Sequence, residues 1–206
     1  MIAAACCASF LFVGQAWAVP VATLLRVTLD GRPLNEQTLK SYGVETELIS
    51  DLHAHSFTTI DLTPLHSDFQ KLRYSYDCPV VDGSFNHNDC AKFGDYAEAV
   101  IQVLDNIREG VEAGVKSLEP IKTGGYILVG EVTAMRTGRN IVGEFHYRIH
   151  SYCSGAVSAA QAVNHNVRIG TADPAAALSQ FYDDIIYRGV EESVAQLEAG
   201  DASCKK

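Results

Sequence analysis

The chain has 206 residues, 47% of them hydrophobic and 20% charged, a balance that supports a full hydrophobic core and argues against extended disorder. Its net charge is −9 and its pI about 5.2. Phosphate backbones and anionic lipid surfaces repel such a chain at long range, and no basic patch opposes that field, so nucleic acid is not expected as a partner.

The N-terminus opens on an apolar run, IAAACCASFLFVGQAWA, that ends in Ala16-Trp17-Ala18, a small-x-small cleavage site. Residues 1–18 are expected to be a signal peptide, and residues 19–206 a single α+β domain. No Lys or Arg precedes the run. It is short for a transmembrane helix, which needs ~20 apolar residues, and no span is expected after leader removal. Ala4-Ala5-Cys6 is a crude lipidation box and the rival reading of this end.

Export would place Cys78, Cys90, Cys153 and Cys204 where thiols oxidise. Four cysteines allow three pairings. Cys78 and Cys90 bracket a turn-rich segment with Pro79, Asp82-Gly83, Asn86 and Asn88, which favours a local bridge. Cys153 with Cys204 would then tie the chain end to the sheet. A metal on Cys78, His87 and Cys90 is the alternative, at wider spacing than the usual Cys-x-x-Cys.

In chain order, residues 21–29 are rich in β-branched types and lead into an Asp30-Gly31 turn, a first strand with a hairpin closing at Pro33. Asn35 is suited to cap a short helix that runs to about Tyr42 and stops at Gly43. Residues 44–62 read as strand by the parity of Val44, Thr46 and Leu48, ending at Pro64; a short strand is expected near residues 72–76. The segment FQKLRYSY (69–76) interleaves rings and cations, and is expected to be a strand with one buried aromatic face rather than a single-strand nucleic-acid platform. Residues 95–118 show a helical stripe of Val100, Leu104, Ile107, Val111, Val115 and Leu118, with Gly110 and Gly114 one turn apart. Residues 126–134 and 140–152 form a hairpin around Gly138. Asp173-Pro174 opens a final helix with Leu178, Phe181, Ile185, Val190, Val194 and Leu197 as its stripe and Gly200 after its end. The expected architecture is a mostly antiparallel sheet with two long amphipathic helices packed on one face.

Two groups of side chains suggest chemistry. Asp51-Leu-His53-Ala-His55 resembles the first metal-binding signature of amidohydrolases and PHP-type phosphoesterases. The resemblance covers five residues and implies a metal held by His53 and His55 at the end of a first barrel strand. The chain lacks the length of that barrel and the later ordered ligands. On the second strand of the hairpin, Glu144, His146, Arg148 and His150 share one parity and form a polar stripe. That stripe is a candidate binding surface; as a plain solvated face it would pair across strands, Arg148 with Glu131 for example.

There is no nucleophile elbow, no phosphate loop and no carboxylate pair set for acid–base work. No catalytic residue and no cofactor is assigned. The sequence therefore reads as an exported, non-catalytic binding or adaptor protein of the bacterial envelope, periplasmic or secreted, an inhibitor or immunity-type protein being one version. Its partner would be another protein or a small ligand in the envelope. The hairpin with its closing helix resembles small bacterial envelope lipoproteins. The alternative is a metal-dependent hydrolase built on the Asp51–His55 segment.

Overall fold

The computed structural model describes residues 18–65, 67–74, 80–81, 84–85, 93–108, 124–152, 154–159, 161–169 and 173–199. The expectations for the leader, the four cysteines, Gly110, Gly114 and Gly200, and the helix beyond Arg108, fall outside these residues.

The strand β1 (Val19–Leu29) is buried on both parities: Val21, Leu25 and Val27 face one side, Ala22 and Leu24 the other. A strand apolar on both faces belongs in the middle of a covered sheet. There β1 pairs in parallel with β3 (Phe57–Asp61) on one side and with β6 (Tyr126–Thr137) on the other. β6 pairs antiparallel with β7 (Asn140–Ser151), and β7 with β8 (Gln161–Arg168). A two-residue strand, β2 (Arg32–Pro33), returns on β1 through Asp30 and Gly31, both at positive φ. The sheet is thus mixed: the ladders β1–β2, β6–β7 and β7–β8 are antiparallel, and the two that β1 makes with β3 and β6 are parallel. A separate two-stranded ribbon joins β4 (Val80–Val81) to β5 (Ser84–Phe85).

Five helices surround the sheet among the described residues: α1 (Glu36–Ser41), α2 (Val44–Ala54), α3 (Ser67–Tyr74), α4 (Phe93–Arg108) and α5 (Pro174–Ala199). They do not share one face. Leu48 and Leu52 of α2 pack with Phe181, Ile185 and Val190 of α5 on the face of Val21, Leu25 and Phe145. Phe69 of α3 and Tyr96, Val100 and Leu104 of α4 pack on the face of Ala22, Leu24, Ile127 and Val129. Handedness gives the reason. The connection from β1 to β3 steps to one side, and that from β3 to β6 steps back across β1. Parallel crossovers are right-handed, so the two must pass over opposite faces.

Local signals account for the ends. The Asn35 side chain accepts from the Thr38 N–H at 2.9 Å and caps α1. Asp173 caps α5 through its backbone carbonyl and side chain. The hairpin β6–β7 turns on Gly138 and Arg139, with Gly138 at φ 62° and Thr137 opposite Asn140. The segment read as one strand over residues 44–62 is a helix and then a strand, because Val44, Leu48 and Leu52 recur at one-turn spacing and are the buried residues of α2. Likewise residues 67–74 are helical, burying Phe69 and Arg73. Arg73 donates to Thr63 Oγ1 at 2.6 Å and pairs with Glu45, which ties α3 to α2 and to the end of β3.

Candidate functional site

The polar stripe of β7 lies on the α4 face of the sheet. Glu144, His146, Arg148 and His150 stand opposite Thr133, Glu131, Val129 and Ile127 of β6. They do share a face, but α4 covers part of it, so the stripe grades from buried to open. His150 is 5% exposed. Arg148 reaches Glu98 of α4 at 3.9 Å. The expected Arg148–Glu131 pair does not form, because Arg26 of β1 takes Glu131 at 2.9 Å. His146 stacks on Phe93, ring centroids 5.7 Å apart, and its Nε2 lies 2.7 Å from Glu144 Oε2. Glu144 is the open end.

Past Glu144 the described residues place no helix over this face. β8 exposes Ala162, Asn164 and Asn166 there, while Val163 is buried against α5. Thr133, Met135, Val142, Glu144, Asn164 and Asn166 form the floor of a cleft of about 680 Å³. A carboxylate, two amides and a hydroxyl converge there beside Met135, 40% exposed. A surface of that composition suits polar and apolar contact together. The hairpin turn fixes the register that brings Thr133 and Met135 beside Glu144 and Val142, so those neighbours were readable in the sequence. Asn164 and Asn166 were not, since residues 161–168 give a weak strand signal.

His53 and His55 have a different setting from the one their motif implies. They end α2 rather than a strand, and residues two apart on a helix diverge by roughly 200°. His53 Nε2 lies 3.2 Å from Thr59 Oγ1, and His55 Nε2 lies 2.9 Å from Glu191 Oε1 of α5. The parity argument for joint ligation does not carry over. Among the described residues no group of three or more His, Cys, Asp and Glu is placed to hold a metal ion.

The third residue of that motif, Asp51, sits at an acidic seam between α2 and α5. Burial, then Glu47 and Glu191, push its carboxyl above the usual range against a smaller opposite pull from His55; Asp183 adds to the rise. Asp183 is pushed up as well, by burial and then by Glu47 and Asp184. Asp51 Oδ2 is buried without a hydrogen-bond partner, and the residue lies in the last turn of α2, where a negative charge opposes the helix dipole. A carboxyl raised in the fold stabilises it below the unfolded pKa of about 3.9 and loses that contribution as pH rises through the folded value. Asp51→Asn is therefore expected to raise stability at pH 7 by a few tenths to about 1 kcal/mol, discounted for solvent screening, and to lose its advantage near pH 3.5. Urea unfolding at the two pH values measures this; an Asn variant less stable than the parent at pH 7 contradicts it.

No family model and no curated protein matches the chain. Solved structures do. The hypothetical protein CT253 from Chlamydia trachomatis is 10% identical over 88% of this chain and 99% of that chain, with a TM-score of 0.50. The PelC dodecamer from Paraburkholderia phytofirmans is 13% identical over 86% of each chain, TM-score 0.42. Lipoprotein GNA1162 from Neisseria meningitidis is 10% identical over 89% of this chain and 99% of that chain, TM-score 0.35. At these identities the likeness to CT253 defines a shared α+β fold and nothing finer. No described helix is long and apolar enough to cross a membrane.

Proposed function

We propose that this chain is an exported, non-catalytic binding protein of the bacterial envelope, and that it takes its partner on the sheet floor around Glu144. The observation that supports this reading most is the half-covered sheet. α5 lies over one face of β7 and β8; on the other, Thr133, Met135, Val142, Glu144, Asn164 and Asn166 floor the cleft, which His165 of β8 and Arg188 of α5 also line. His146, Arg148 and His150 continue that face inward under α4, so Glu144 is where a partner meets the stripe. The partner is another protein or a small ligand.

Export by residues 1–18 and bridges Cys78–Cys90 and Cys153–Cys204 belong to the same reading. A domain of −9 charge, with Glu144 at its open end, suits a partner that offers a cation to the carboxylate and apolar surface to Met135.

A photo-crosslinking residue at Met135 or Glu144, in cells exporting the chain, tests this. A discrete adduct to another molecule is expected, on a chain that begins at Val19, and none from the same probe at the exposed Tyr187 of α5. Adducts confined to Tyr187, or none at Met135 and Glu144, would refute the assignment.

A further inference from the structure

Among the described residues the sheet ends at β8, a strand of eight residues without Lys, Pro or a bulge. Proteins blunt edges with Lys, Pro, bulges or a covering segment. β8 reads QAVNHNVR, without Lys or Pro, and keeps unbroken register with β7 from Gln161 opposite Tyr147 to Arg168 opposite Asn140. Among the described residues nothing pairs with its outer side. In an antiparallel ladder alternate residues turn N–H and C=O to the unpaired side, so β8 presents a straight row of donors and acceptors. The opposite border is different: β3 and β2 divide the far side of β1, five and two residues long, and β2 contains Pro33.

We propose that β8 pairs antiparallel with β8 of a second copy of this chain, about a two-fold axis normal to the sheet. This operation keeps each face on its own side and makes one continuous sheet. Helix spacing supports it. α5 lies over β7 and β8 alike, so its axis runs near the line between them. With strands ~4.8 Å apart, two α5 axes stand roughly 10 Å apart across the joint, close to the distance at which helices pack.

The flank of α5 that meets the joint is self-complementary. His165 Nε2 on β8 lies 3.2 Å from Asp184 Oδ2, which fixes Asp184 on the β8 side of α5. Arg188, one turn on, shares that side and lines the cleft with Asn164, His165 and Asn166. A two-fold through the middle of β8 reverses the second α5. Asp184 of each copy then faces Arg188 of the other, and the contact occurs twice. Charge favours the same edge. A chain of net −9 repels its copy at long range, but β8 contains one Arg, one His and no acidic residue, so repulsion is weakest here.

Sedimentation equilibrium of the full chain tests the pairing, with circular dichroism melting as the check on folding. The parent is expected to be a dimer in concentration-dependent exchange with monomer. Asn164→Lys with Asn166→Lys, at exposed positions, sets like charges across the joint and should leave a folded monomer. Arg188→Asp should weaken the dimer about tenfold, and adding Asp184→Arg should restore it. A parent monomeric at about 100 µM overturns the inference, as does a dimer indifferent to both the lysine pair and Arg188→Asp. Asn164, Asn166 and Arg188 also line the cleft at Glu144, so the two readings are separated on the parent chain: a dimer with no adduct to another kind of molecule at Met135 or Glu144, or such an adduct on a monomer.

Discussion

Replacing Gly189 with alanine is expected to destabilise the fold by about 3 kcal/mol or more, against the ~1 kcal/mol that Gly→Ala normally gains in a helix interior. Gly189 lies in the middle of α5, where the helix passes over β7. A Cβ there would fall inside the ring of Phe145, which is completely buried. The ring has no free direction. On its β6 side Gly130 leaves it room, since a Cβ at Gly130 would come 2.7 Å from Phe145 Cε2, and Tyr147 stands 5.8 Å away, centroid to centroid. One aromatic ring thus fills the space between two glycines, one on the sheet and one on the helix.

The fold can answer a new methyl group only by lifting α5 or by turning Phe145 off its rotamer. Lifting α5 strips contacts from Phe181, Ile185 and Val190, all 0% exposed. Phe145→Leu alone opens a small cavity and should cost about 1–2 kcal/mol. Combined with Gly189→Ala it should recover much of the loss, giving a coupling of at least ~1 kcal/mol between the sites. Urea unfolding of the two single variants and the double variant measures it. If Gly189→Ala unfolds at or above the parent midpoint, the close approach of α5 to β7 is wrong.

That close approach is a long-range fact, and long-range facts are what the sequence hid. The stripe of α5, the Asn35 and Asp173 caps and the turn at Gly138 are short-range and were legible. The helix α2 was legible too: Val44, Leu48 and Leu52 have helical spacing, but a parity count over Val44, Thr46 and Leu48 matched the same residues to a strand. Adjacent apolar residues in β1, such as Val21 with Ala22 and Leu24 with Leu25, signal burial on both faces and hence helices on both sides. β8 could not be found this way. Val163 is its one buried apolar side chain, and its place depends on β7. For the candidate site, the shared parity of Glu144, His146, Arg148 and His150 was readable. How far α4 covers them was not, because it depends on the crossover that carries α4 over that face.

The pair that competes with the predicted Arg148 contact leads to the second large effect. Arg26 and Glu131 lie side by side in β1 and β6, each 2% exposed, 105 residues apart in the chain. The Arg26 guanidinium also lies over the Tyr96 ring, 3.9 Å from its centroid. Taking two charges out of water costs several kcal/mol per ion, which their attraction must offset. Either charge left alone keeps its cost and loses the attraction. Arg26→Met singly, which leaves the buried carboxylate unpaired, is therefore expected to cost about 3–5 kcal/mol and Glu131→Leu singly less, while Arg26→Met with Glu131→Leu should cost less than Arg26→Met alone.

Acid sharpens the test. Burial raises the Glu131 carboxyl above its usual range, and Arg26 and His146 offset only part of the rise. A group raised in the fold stabilises it below the unfolded value of about 4.3, and that contribution is lost as pH rises through the folded value. The parent thus loses it on going from pH 4 to pH 7, whereas the double apolar variant has no carboxyl there to titrate. The double variant should compare best with the parent at pH 7 and worse at pH 4. Denaturant midpoints of the four proteins at both pH values decide it. A double variant as damaged as Arg26→Met alone would mean that Arg26 and Glu131 stabilise the sheet outright, and that their burial beneath Tyr96 is not a net cost.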